Sequence, residues 1–165
     1  MLKLLGSLCI TCGGALAWYQ QWAERRLRRE TLADLLRVFR RMREEVRMAR
    51  TTLPVLLETL APDCGRAVSA FLETVCAAVH RGDSLTEVWR MAADALPVQP
   101  GDKSLVMSLG KDLQGDEEKV CKALLHVTYA LEKSAGEAEN RRPEEEKRAT
   151  ALWFSAAALL VILLI

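Results

Sequence analysis

Apolar residues recur every three or four positions from Leu32 onward (Leu32, Leu35, Leu36, Phe39, Met42, Val46 and Ala49), which lays a single stripe along a long helix starting near Arg26. Thr52 is placed to cap a short second helix with Pro54 in its first turn, where the missing N–H costs nothing, and Pro62 ends it. A third helix is expected over 65–80, with Val68, Phe71, Leu72, Val75 and Val79 inward and Gly82 as its stop. Ser84-Leu85-Thr86-Glu87 reads as a capping box that opens a fourth helix carrying Val88, Trp89, Ala92 and Leu96.

Pro97-Val98-Gln99-Pro100-Gly101 then reads as a linker between two halves of a bundle, because two prolines and a glycine within five residues oppose both helix and central strand. Asp102 or Ser104 is placed to cap a fifth helix with Leu105, Val106, Leu109 and Leu113, and Gln114-Gly115-Asp116 turns the chain. A sixth helix shows Val120, Leu124, Val127, Leu131, Ala135 and Ala138 at near-heptad spacing as far as Pro143. No stretch alternates as a strand does. The expected fold is therefore all-α, a single bundle of about six helices.

The two ends are apolar. Residues 149–165 carry no charge, and at about 1.5 Å per residue such a helix covers roughly 25 Å, the short end of what crosses a hydrocarbon core. Residues 4–19 are also uncharged and lead into Trp18, Tyr19 and Trp22, where an interfacial aromatic belt belongs. The expected division is a first membrane span over 1–22, a bundle over 23–148 with its halves split near 97–101, and a second span over 149–165. Ala15-Leu16-Ala17 leaves a cleavable signal open as a rival for the first span, although the aromatics and arginines that follow look like a stop in the membrane.

Charge sets the orientation. Arg25, Arg26, Arg28 and Arg29 form a basic stem after the first span, and Arg141, Arg142, Lys147 and Arg148 precede the second, so the bundle is expected on the cytoplasmic side. The whole chain carries 23 basic and 22 acidic residues, which gives no overall bias toward nucleic acid. Within the bundle, 24–50 is strongly basic and the remainder acidic. The stem is expected near anionic headgroups, which makes membrane lipids the first partner.

The order of these pieces resembles a known family. The chain opens on Met1-Leu2-Lys3-Leu4-Leu5-Gly6 and the basic stem, then shows Glu45-Val46 ahead of Thr51-Thr52-Leu53-Pro54-Val55-Leu56-Leu57-Glu58. Ser84 through Trp89, Leu109-Gly110-Lys111 with Gly115-Asp116, and a closing Leu160-Val161-Ile162-Leu163-Leu164-Ile165 follow. Together these look like the stage III sporulation protein AB family of endospore-forming bacteria. Glu117-Glu118-Lys119 and the glycine-free last span depart from the family pattern.

That resemblance implies a non-enzymatic, platform-like membrane component of the channel complex joining mother cell and forespore. Its helical domain would be similar to the cytoplasmic domains of type II secretion and type IV pilus platform proteins. Expected partners are other subunits of that complex and a secretion-type ATPase, and the expected location is the mother-cell membrane facing the forespore. Leu53, Pro54, Trp89, Leu109, Gly110, Gly115 and Asp116 match the family pattern. The loop with Pro97, Pro100 and Gly101, the turn at 114–116 and the stem are the candidate partner contacts.

Candidate chemistry is sparse. Cys9 and Cys12 have the spacing of a redox or zinc pair but lie mid-span with no second pair, and Glu144, Glu145 and Glu146 read as a solvated helix start. Cys76 and His80 lie one turn apart and Cys121 and His126 sit on another helix, so a four-ligand zinc site can be drawn, but a five-residue spacing turns the second pair apart. Gly110-Lys111 lacks the rest of a phosphate loop, and neither a metalloprotease His-Glu pair nor a Gly-x-Ser-x-Gly elbow is present. No cofactor, metal, nucleic acid or small-molecule substrate is expected, and no enzymatic activity. The alternative to a platform subunit is a membrane-anchored adaptor or sensor whose bundle binds a soluble regulator.

Overall fold

A computed structural model describes residues 2–48 and 52–140 of the chain, with side chains for 19–48 and 52–139. Six α-helices and one 3-10 turn account for nearly all of them: α1 (Leu2–Arg47), α2 (Leu53–Leu60), the 3-10 turn Ala61–Asp63, α3 (Arg66–His80), α4 (Leu85–Asp94), α5 (Pro100–Asp112) and α6 (Glu117–Asn140). The all-α expectation holds for the described residues. They divide into a compact unit ending at Leu131 and a second unit from Glu132 on, whose described part is the helical, largely exposed end of α6.

The bundle forms because each helix keeps one apolar face. On α1, Leu32, Leu35, Val38, Phe39 and Met42 are buried, while Leu36 and Val46 are only half-buried. Val68, Phe71, Leu72 and Val75 of α3 go inward as the spacing predicts, joined by Cys76 and Ala78, and Val79 stays half-buried. Val120, Leu124, Val127 and Leu131 of α6 are buried, but Ala135 is half-buried and Ala138 exposed. Full burial of a Leu, Val or Phe side chain contributes roughly 1.5–3 kcal/mol, so these stripes supply the main driving force.

Helix ends explain the turns. α3 stops in a Schellman arrangement, in which the Gly82 N–H donates to the Val79 carbonyl and the Asp83 N–H to the Ala78 carbonyl. Gly82 has φ 82°, a left-handed conformation in which a side chain would be strained. Pro54 sits in the first turn of α2, and Pro62 converts its end into the 3-10 turn. Thr52 and Ser84 occupy the cap positions of α2 and α4, but neither makes a side-chain capping bond, so the expected capping box at Ser84 is not formed. Ser84 is exposed, and its backbone carbonyl accepts from Val88 as the first bond of the helix.

The 97–101 segment differs from its expected form. Pro100 and Gly101 belong to the first turn of α5, capped from Gln99, because proline at that position gives up an N–H that would have no helical partner anyway. The loop joins two helices that pack on one another, α4 and α5.

The packing centre is Trp89 of α4, which is fully buried. Its indole N–H donates to the Val106 carbonyl of α5 at 2.7 Å. Its ring stands edge-on to Phe71 of α3, with centroids 4.9 Å apart, and stacks at 6.4 Å on Phe39 of α1. Gly110 of α5 lies against Trp89, so close that a β-carbon there would stand 2.7 Å from a ring carbon.

One polar clamp ties α1 to the start of α3. Asp34, 9 % exposed, accepts the Gly65 N–H at 2.7 Å, and Arg37 lies 3.2 Å from its other carboxylate oxygen while donating to the Asp63 carbonyl. Among the described residues no buried side-chain nitrogen or oxygen lacks a partner.

Gly110→Ala forces either α5 or the indole to move, and urea unfolding of the full chain is expected to show a loss of about 1–3 kcal/mol. Ser84→Ala, at an exposed position whose hydroxyl makes no capping bond, is expected to stay within about 0.5 kcal/mol of the parent.

Candidate functional site

The candidate residues separate into an interior set and an outward set. Trp89, Leu109 and Gly110 are buried in the α4–α5 packing, where Thr86 also donates to the Gly110 carbonyl at 3.4 Å. They shape the bundle from within. Leu53, Pro54 and Pro97 are half-buried, and Val98 beside Pro97 is buried. Pro100, Gly101, Gly115 and Asp116 are exposed, as are all four stem arginines.

The stem is a mixed surface rather than a bare cationic one. Arg26 bonds Glu30 at 2.7 Å and covers the Trp22 ring at 5.8 Å, and Arg28 reaches Glu24 at 4.0 Å. Tyr19 and Trp22 stand with ring centroids 6.5 Å apart, and both are exposed along with Leu27. An aromatic and aliphatic band therefore lies beside arginines on the same helix. Further along the bundle, Val55, Met91, Leu125 and Tyr129 also present apolar surface, the last two one helical turn apart on α6.

Among the described residues no helix is long and apolar enough to cross a membrane. The first expected span falls mostly on positions whose side chains lie outside the description, and the second, 149–165, lies outside the described residues altogether, as do Glu144, Glu145 and Glu146.

Of the cysteine and histidine pairs, only one is brought into a cluster with a third ligand type. Cys76 and His80 of α3 meet Glu58 of α2, with one ligand atom from each lying within 4.8 Å of the others. The Cys76 sulfur lies 3.6 Å from Glu58 Oε1, 3.6 Å from the Pro54 carbonyl and 3.5 Å from His80 Nδ1. Cys121 and His126 do not join them among the described residues. Sequence spacing exposes the Cys76–His80 pair, but Glu58 enters only through the packing of α2 on α3.

Burial pushes the Cys76 thiol up from its ordinary value, and the Glu58 carboxylate adds to this through its hydrogen bond and its charge. The Cys64 thiol is raised too, mainly by burial and then by Asp34. A raised thiol holds its proton to higher pH, so less thiolate is present near neutrality.

The model of the stage III sporulation protein AB family matches residues 3–165 of this chain. The chain belongs to that family. Among solved structures it is similar to "Stage III sporulation protein AB (SpoIIIAB)", at 19 % identity with a TM-score of 0.64, covering 70 % of this chain and 95 % of the other. At that identity the likeness speaks for the helical fold. No curated protein sequence matches it. Stage III sporulation protein AB membership makes this a sporulation-related chain, and the solved structure shares its helical fold.

In the folded chain, alkylation of Cys64 and Cys76 is expected to be slower at pH 7.5 (about one unit below an ordinary thiol) than in the same chain unfolded in urea. The rate should climb as the pH is raised, because only the thiolate reacts. Mass spectrometry of modified peptides over time checks this, and equal rates in folded and unfolded chains would remove the burial argument.

Proposed function

We propose that this chain is a membrane-held structural subunit of the sporulation apparatus joining mother cell and forespore, acting as a platform on which other subunits assemble. The observation that carries the reading is the continuity of α1. One helix runs from the apolar opening through the Tyr19, Trp22 and Leu27 band and the arginine stem, and then supplies Leu35, Phe39 and Met42 to the bundle. Aromatic residues beside arginines at the edge of an apolar segment fit a membrane interface, with the basic side retained in the cytoplasm.

The proposed role needs surfaces more than chemistry. Exposed Pro100, Gly101, Gly115 and Asp116 lie at helix junctions, and Leu125 and Tyr129 offer an outward apolar pair. Subunits of the same complex, a secretion-type ATPase among them, are the partners proposed for such surfaces, and the mother-cell membrane is the proposed location. The stem contributes orientation through charge near anionic lipid, at about 1 kcal/mol per basic residue. Arg26 and Arg28 pair with Glu30 and Glu24 at exposed positions, where such ion pairs are weak and leave the guanidinium groups open to solvent.

Single reporters Pro100→Cys and Ser7→Cys, in chains otherwise free of cysteine, test the topology in intact cells with a membrane-impermeant thiol reagent. Pro100→Cys is expected to be protected until permeabilisation, while Ser7→Cys is not labelled from the cytoplasmic side. Labelling of Pro100→Cys from outside would reject the proposed orientation, and failure of a secretion-type ATPase to co-purify with the full chain would reject that partnership.

A further inference from the structure

The cleft between α2 and α3 gathers three kinds of metal-binding side chain at one point. We propose that Glu58, Cys76 and His80 form a binding site for a divalent ion of the zinc class, with a fourth position open to water. Each residue contributes from a different place: Glu58 from the last turn of α2, Cys76 from the buried face of α3, and His80 from the C-terminal end of α3. Cysteine and histidine four positions apart share a helix face, so both can aim at a common point.

The spacing already approaches what a bound ion demands. Metal–sulfur bonds of about 2.3 Å and metal–nitrogen or metal–oxygen bonds of about 2.0 Å in a tetrahedron require sulfur–oxygen edges of about 3.5 Å and nitrogen–oxygen edges of about 3.3 Å. Here Cys76 Sγ is 3.6 Å from Glu58 Oε1, and His80 Nε2 is 3.8 Å from the same oxygen. The first edge needs to close by about 0.1 Å and the second by about 0.5 Å.

The histidine is set up for ligation. Nδ1 lies 3.1 Å from the Cys76 carbonyl, and in the tautomer that donates to this carbonyl the proton is on Nδ1 and the lone pair on Nε2. A ring nitrogen donating to a backbone carbonyl while the other nitrogen binds metal is the common outer-shell arrangement. The side chain is 57 % exposed, so solvent reaches its outer edge.

The surroundings favour a cation and an open coordination position. The cleft encloses about 330 Å³, and its described lining includes Glu73 as well as Glu58 but no lysine or arginine. Leu57, Ala61 and Ala77 close its apolar side. A thiolate and an imidazole select zinc-like ions over magnesium and calcium, while three protein ligands and a water make an open zinc site. Binding displaces the thiol proton to solvent and links α2, whose cap position makes no side-chain hydrogen bond, directly to α3.

Cobalt(II), added alone to the full-length chain with Cys9, Cys12, Cys64 and Cys121 changed to serine, tests the site by spectroscopy. One equivalent is expected to produce a thiolate-to-cobalt charge-transfer band and the visible bands of tetrahedral cobalt, both displaced by zinc. Cys76→Ser is expected to abolish the charge-transfer band, and Glu58→Gln and His80→Gln to weaken cobalt binding at least about tenfold. Far-UV circular dichroism checks each variant, and the two exposed positions serve if Cys76→Ser does not fold. A folded chain without the band, or a band whose affinity is unchanged by both Glu58→Gln and His80→Gln, would overturn the proposal.

Discussion

The indole of Trp89 is the constraint on which the bundle depends. It belongs to α4, yet it touches Phe71 of α3, Phe39 of α1 and Gly110 of α5, and its only polar atom is satisfied by the Val106 carbonyl. A buried indole N–H without a partner costs free energy, and a helical carbonyl keeps a second lone pair that can meet it. The bond therefore sets how far α5 can slide along α4. Gly110 sets how near it comes, since a β-carbon there would stand 2.7 Å from the indole and force one of the two to move. Four helices are thus positioned by one side chain and its neighbours.

A second constraint acts at the opposite register of α1. Asp34 is on the buried side of the helix, and its carboxylate reaches the backbone where α3 begins. Negative charge at a helix N-terminus is favourable, and Arg37 offsets the cost of holding that charge in a nearly buried place. Because Arg37 also holds the Asp63 carbonyl, the corner between the 3-10 turn and α3 is fixed to α1 by two residues one turn apart. The apolar Phe39 contact and the polar Asp34 contact together give α1 a definite rotation about its axis.

Much of this architecture was legible in the order of residues, because helix stripes and turn residues act locally. The apolar spacing located α1, α3, α4 and α6, and Gly82 and Gln114 to Asp116 marked two chain reversals. Buried polar positions were not legible. Thr31 and Thr128 lie inside the stripes, but each hydroxyl donates to the carbonyl four residues earlier, so neither needs a partner from another helix. Pro100 and Gly101 looked like a break because both disfavour a helix interior, and the first turn exempts them. The role of Gly110 and the arrival of Glu58 beside Cys76 depend on which helices pack together, which no local pattern encodes.

The separation of interior and exterior residues also decides how the positions that stand out in the sequence should be read. Trp89, Leu109 and Gly110 stand out in the sequence, yet all three are spent on holding α4 and α5 together. A substitution there that abolishes a partner interaction acts through the shape of the bundle, since none of these side chains reaches the surface. The surfaces proposed for partners are instead the exposed positions Pro100, Gly115, Asp116, Leu125 and Tyr129, which lie outside the ring contacts of Trp89. Loss of binding with an unchanged unfolding curve is the pattern that separates a surface residue from an interior one. The same logic applies to the stem: its arginines are exposed, so altered orientation without altered stability isolates their charge from the fold.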